Sequence, residues 1–109
     1  MGRVGEKRAV DFLKKKGFKI LTTNYKTPVG EIDIIAEEKG VIVFIEVKTR
    51  TNDNFGLPCE AVDKKKQEKY YKTATHYLQK VKKTDSECRF DVIEIENGEI
   101  NHIFNAFGV

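Results

Sequence analysis

Two short stretches of this chain carry charge where a β-sheet has no ordinary use for it. Gly30-Glu31-Ile32-Asp33-Ile34-Ile35-Ala36 and Phe44-Ile45-Glu46-Val47-Lys48-Thr49-Arg50 are rich in Ile, Val and Phe and alternate in polarity, the pattern of strands. Alternation puts Glu31, Asp33 and Ile35 on one face of the first strand, and Ile42, Phe44, Glu46 and Lys48 on one face of the second. Asp33 and Glu46 thus stand in apolar strands, and a buried carboxylate is costly unless it is paired or binds a metal. Two carboxylates and a lysine projecting from one hairpin are parts suited to metal-assisted phosphodiester hydrolysis. A plainer alternative is an Asp33–Lys48 or Glu46–Lys48 salt bridge on a pleated surface.

Around these strands the chain reads as helix, three strands, helix, two strands. Residues from Gly2 to Lys16 have helical spacing, with Glu6, Ala9, Val10 and Leu13 on one face and Gly17 as the stop. Glu6 heads that apolar stripe, either as an acid favoured at a helix N-terminus or as a third acid aimed at the two strands. Phe18 to Tyr25, Glu31 to Glu37 and Val41 to Thr49 are strands joined by short turns, an antiparallel meander. Arg50 to Pro58 is a polar loop that follows the Glu46-Lys48 pair directly. A long helix is expected from Glu60 to Lys82, with Val62, Tyr70, Ala74, Tyr77, Leu78 and Val81 as its apolar stripe. Strands from Arg89 to Glu96 and from Glu99 to Phe104 flank Asn97-Gly98, a strong hairpin signal. The expected class is α/β, a mixed five-strand sheet flanked by helices in the order α-β-β-β-α-β-β. The order of strands within the sheet is not fixed by the pattern.

Length and composition bound the rest. At 109 residues and 39% hydrophobic, residues 1–109 suit one domain with one core. No apolar run approaches the ~20 residues of a membrane span, and Met1 to Lys7 lacks the apolar run of a signal peptide, so a cytoplasmic protein without a membrane partner is expected. Cys59 and Cys88 form no zinc spacing and read as two ordinary thiols. The net charge of +3 does not by itself demand nucleic acid. The lysines are clustered, however, at 14–16, 64–66 and 80–83. Each cluster is either a solvated helix face or an anion contact. Positive charge at a helix start opposes the macrodipole, which makes Lys64, Lys65 and Lys66 the cluster that points most clearly to an anionic partner. His76 and His102 are isolated in sequence and read as structural or surface residues. No phosphate-binding loop, dinucleotide fingerprint or Ser/His/Asp set is evident.

Asp33, a gap of twelve residues, then Glu46-x-Lys48 resembles the PD-(D/E)xK nuclease signature, with Ile32 where that signature usually has proline. More closely, the chain resembles the YraN-like family of bacterial endonuclease-like proteins. The matching pieces are Gly5-Glu6-x-x-Ala9, Gly30 to Ala36, Phe44 to Arg50, Phe55-Gly56, Lys66-Gln67, Tyr77-Leu78, Cys88 to Val92 and Asn105-Ala106-Phe107. The resemblance spans nearly the whole chain, and its specific part is Gly30 to Arg50. It implies a restriction-endonuclease-like fold similar to archaeal Holliday junction resolvases. It also implies that Glu6, Asp33, Glu46 and Lys48 occupy active-site positions.

On that reading the expected activity is an Mg²⁺-dependent endonuclease, with Mn²⁺ as a substitute. Asp33 and Glu46 are the expected metal ligands, with a main-chain carbonyl near Val47 and Glu6 adding to them. Lys48 orients the attacking water or stabilises the transition-state charge. Arg3, Arg50, Lys64, Lys65, Lys66 and Gln67 are the expected nucleic-acid contacts, to DNA ahead of RNA. Backbone contacts of this kind are sequence-tolerant, and no recognition helix or zinc finger offers base readout, so selection by substrate structure is expected. A resolvase-type reaction would need two sites and hence suits a homodimer. The alternative is a nucleic-acid-binding module with the same fold that does not cut.

Overall fold

The computed structural model describes residues 2–50 and 64–107, without the side chains of residues 2–4 and 50. Its elements are α1 (Gly2–Lys15), β1 (Lys19–Thr27), β2 (Gly30–Glu38), β3 (Val41–Arg50), α2 (Lys64–Lys80), β4 (Cys88–Glu96) and β5 (Glu99–Ile103). This is the expected α/β order. The expected loop from Arg50 to Pro58, the helical start from Glu60, Val62 in the helix stripe and Cys59 lie outside the described residues.

Local chemistry accounts for most boundaries. Helix α1 ends at Gly17, where Phe18 N donates to Leu13 O at 3.0 Å and Gly17 N to Lys14 O at 3.1 Å, the paired bonds of a Schellman cap. The two tight hairpins, Lys39-Gly40 and Asn97-Gly98, have positive φ at both central residues, as a type I′ turn requires. Helix α2 stops two residues short of the expected Lys82. Lys82 takes a left-handed φ of 59°, and Lys83 N donates to Leu78 O at 2.8 Å, so a second Schellman-type cap closes the helix without glycine. Val81 is therefore off the apolar stripe and 37% exposed.

The sheet runs β1-β2-β3-β4-β5. The first three strands form the antiparallel meander. The β3–β4 pair is parallel, from Ile42↔Cys88 to Arg50↔Glu96, because α2 lies between those strands in the chain and a crossover returns the chain in the same direction. Strand β5 closes back antiparallel on β4.

Among the described residues, each face of the sheet carries one helix. Ala9 and Leu13 of α1 pack with Phe18, Ile34, Ala36, Val43, Ile45, Ile93 and Ile95. Tyr70, Ala74 and Tyr77 of α2 pack with Ile32, Ile35, Ile42, Phe44, Phe90, Val92 and Phe107 on the other face. With both faces covered, the central strands can be apolar throughout, and in β4 six consecutive residues from Phe90 to Ile95 are buried. Among the described residues, no helix is long and apolar enough to cross a membrane.

Candidate active site

The candidate site lies where β2 and β3 part company. Their ladder runs from Glu38↔Val41 to Ile34↔Ile45 and no further. Just beyond it, Val47 N donates to Asp33 Oδ2 at 2.9 Å. The carboxylate thus takes the place of a backbone acceptor at the end of the ladder. Simple alternation fails at the same point. Ile32 packs with the α2-side cluster and Ile34 with the α1-side cluster, although residues two apart in a regular strand share a face. In β1, Asn24 sits at this level between the pairs Thr23↔Ile34 and Tyr25↔Ile32, with φ at 53°. The expectation that Glu31, Asp33 and Ile35 share one face is corrected accordingly: Asp33 reaches sideways to β3.

Glu46 is 9% exposed and lies between two ammonium groups. Lys48 Nζ is 3.7 Å from its Oε2, and Lys66 Nζ is 3.4 Å from its Oε1. Among the described residues, Oε2 is buried without a hydrogen-bond donor. Lys48, two residues along β3, stands in register beside Glu94 of β4, another buried acid. The salt bridge considered from sequence is therefore present for Glu46, in company with the site geometry.

The acids repel one another. The Asp33 carboxyl is pushed up to about 6, chiefly by burial. The Val47 amide opposes that shift, and the charges of Glu6, Glu46 and Glu31 add to it. Glu6 is thus within electrostatic reach of Asp33. Glu6 also lines a separate open groove of about 310 Å³ with Lys7, Val10, Thr23 and Asn24. Among the described residues, no three acidic, histidine or cysteine side chains converge as a ready-made metal cage.

Asp33 and Glu46 open onto a cleft of about 290 Å³, lined also by Gly30, Glu31, Lys66, Lys69 and Tyr70. Helix α2 approaches β2 closely here: a Cβ added at Gly30 would lie 2.9 Å from Thr73 Oγ1. Behind Glu46, a void of only about 10 Å³ among Ile32, Phe44, Tyr70 and Phe107 holds at most one water. Lys64 and Lys65 are exposed in the first turn of α2, and Gln67 is half-buried there. The side chains of Arg3 and Arg50 lie outside the described residues. Lys69 was not singled out from sequence. Its signal was its position three residues beyond Lys66, which puts both on one helix face.

A further buried carboxylate was also missed. Asp91, 1% exposed, accepts from Arg89 Nε at 3.0 Å and from Asn105 N at 2.8 Å, and pairs with His102 Nε2 at 2.8 Å. Burial raises its pKa, but these three partners and the Arg89 charge outweigh burial and leave it lowered. His102 is therefore a buried structural residue, 3% exposed at its side chain, and is isolated only in sequence. His76 is exposed and meets Tyr25 Oη at 2.5 Å. The Asp91 cluster holds the segment after β5 against β4, where Ala106 N donates to Phe90 O at 2.7 Å. That delivers Phe107 to stack on Tyr70 and Phe90 beneath α2.

Residues 5–95 match a family described as Uncharacterised protein family UPF0102. A UPF0102 protein of Caldanaerobacter subterraneus is 52% identical over 114 residues, covering 98% of this chain and 93% of the relative. One of Thermodesulfovibrio yellowstonii is 50% identical over 107 residues, covering 98% and 95%. One of Clostridioides difficile is 50% identical over 108 residues, covering 97% and 95%.

Proposed function

The chain belongs to the UPF0102 family, and we propose that it is a metal-dependent nuclease that hydrolyses phosphodiester bonds of DNA. The observation that carries this reading is the pairing of Asp33 and Glu46, two half- to fully buried carboxylates at the end of the β2–β3 ladder, with Lys48 beside them. A structural salt bridge accounts for Glu46 and Lys48. It does not account for Asp33, whose carboxyl is raised by burial next to other acids and which forms no ion pair among the described residues.

The donor set is hard oxygen, which suits Mg²⁺ or Mn²⁺. Glu46 Oε2 is buried with no hydrogen-bond donor among the described residues and only the Lys48 ammonium at 3.7 Å, which leaves it able to take a metal ion. Asp33 and Glu46 would hold the ion, with the Val47 carbonyl and Glu6 as further ligands, and two carboxylates suffice for an ion that keeps several waters. Such an ion would supply Lewis acidity and a bound water of lowered pKa. The protein's own groups supply the remainder. The Val47 amide fixes the Asp33 carboxylate. Lys48 would orient the attacking water and meet the negative charge that grows on the phosphoryl oxygens. Lys66 and Lys69 line the cleft and would grip the backbone phosphates, with Lys64, Lys65, Gln67, Arg3 and Arg50 around them. Contacts to phosphate position a strand without reading its bases, so the protein selects by structure, branched or single-stranded. Symmetric cutting of a four-way junction would require a homodimer.

The ion pairs of Glu46 favour one rival, a binding module that does not cut, because they neutralise that acid without metal. Cleavage of labelled duplex, single-strand, flap and four-way-junction DNA in Mg²⁺, Mn²⁺ or EDTA separates the two. The nuclease reading expects metal-dependent cutting that Asp33→Ala and Lys48→Ala of verified fold both abolish. Binding at low salt with no cutting of any substrate would establish the rival.

A further inference from the structure

Lys66 occupies an unusual place. It stands in the first described turn of α2, a turn with no acid of its own. Its ammonium nevertheless reaches across the cleft to Glu46 Oε1 at 3.4 Å. The two ends of that contact differ sharply. Glu46 is held by a central strand at 9% exposure, whereas the Lys66 side chain is 53% exposed on a flexible stem. Lys48, the other cation on Glu46, is fixed to the same strand and is 24% exposed. Lys66 is the more exposed of the two cations on Glu46.

We propose that Lys66 is a tethered counter-ion that a divalent metal displaces, so that metal binding frees its ammonium to grip a substrate phosphate. This rests on the nuclease reading of the same site and adds its regulation. A buried carboxylate needs a compensating cation, and Lys66 supplies one while the metal is absent. A divalent ion on Glu46 repels an ammonium 3.4 Å from the same carboxylate. The released side chain need not travel far, because Lys66 and Lys69 already line the cleft that holds Asp33 and Glu46. Metal and phosphate binding then promote one another, since linkage is reciprocal. The protein would engage nucleic acid weakly until it is loaded for cutting.

The test is titration calorimetry of Mn²⁺ into the metal-free protein, as wild type, Lys66→Met and Lys65→Met. Lys66→Met removes the competing cation from an exposed helix start, and circular dichroism checks its fold. Lys65→Met removes the same charge from the same turn. The proposal expects Lys66→Met to bind Mn²⁺ about two- to fivefold more tightly than wild type, the scale of a partly exposed ion pair, with Lys65→Met unchanged. Equal or weaker binding by Lys66→Met overturns the displacement and leaves the nuclease reading standing. A gain shared equally by Lys65→Met also overturns it, since bulk charge would then be the cause. No Mn²⁺ binding by any of the three overturns both readings together.

Discussion

Asp33 must stay ionised in surroundings that favour its acid form, and that tension can be measured. Its carboxyl is raised to about 6 in the folded protein, above its value in an unfolded chain, so between those two values the folded state binds more protons than the unfolded state. Its electrostatic cost is absent below about pH 4 and fully present above about pH 6 to 7. Asn in its place keeps an oxygen for the Val47 amide and removes the charge. Metal-free Asp33→Asn should therefore be more stable than wild type at pH 7.5 by about 1–2 kcal/mol, once solvent screening of a half-buried group is allowed for. The gain should fade as the pH is lowered to 4, as read from urea unfolding at both pH values. Asp91 has the opposite sign. Its lowered pKa contributes stability that is present above the usual carboxylate range and lost as pH falls through the folded value. Asp91→Ala leaves Arg89 and His102 without their shared partner and should cost about 3–5 kcal/mol in the same measurement. The two acids also differ in how readily the sequence revealed them. Asp33, Glu46 and Lys48 stood out because they lie close together in two apolar strands. Asp91 did not, because His102 and Asn105 meet it only after β5 has turned back.

At the level of elements, the site depends on how α2 is seated. Tyr70 and Thr73 pack beneath the turn that carries Lys66 and Lys69, and Gly30 leaves room for Thr73 Oγ1, which donates to Lys69 O at 2.7 Å. Gly30→Ala would force a Cβ to within 2.9 Å of that hydroxyl. Overpacking of this kind costs about 1–3 kcal/mol, and the loss should appear in the urea midpoint. The hairpins at Lys39-Gly40 and Asn97-Gly98 were readable because their turn residues have one geometry to satisfy. The end of α2 was not, since Lys82 adopts a conformation that glycine would normally supply. Alternation could not reveal the break at Asp33 either, because the residue order of β2 is that of a regular strand. The departure comes from the side chain bonding to the next strand. The parallel β3–β4 pairing likewise depends on where a crossover helix lands, which local pattern does not encode.

Across the whole molecule, a net charge of +3 gives little general pull on nucleic acid, so binding should come from lysines gathered at the cleft. Affinity for DNA should fall steeply with salt. Lys69→Glu should weaken binding to every DNA substrate by a similar factor, about tenfold at low salt, as read by fluorescence anisotropy. The family match over residues 5–95 and the relatives at 50–52% identity place the chain in one family. The chemistry has to be established on the protein itself. The most direct measurement is single-turnover cleavage of the best DNA substrate in Mg²⁺, comparing wild type with Lys48→Ala, alongside the DNA affinity of each. The account predicts a rate at least about 100-fold lower for Lys48→Ala, with affinity changed little. Equal cleavage rates, or a loss of affinity that explains the whole loss of rate, would contradict it.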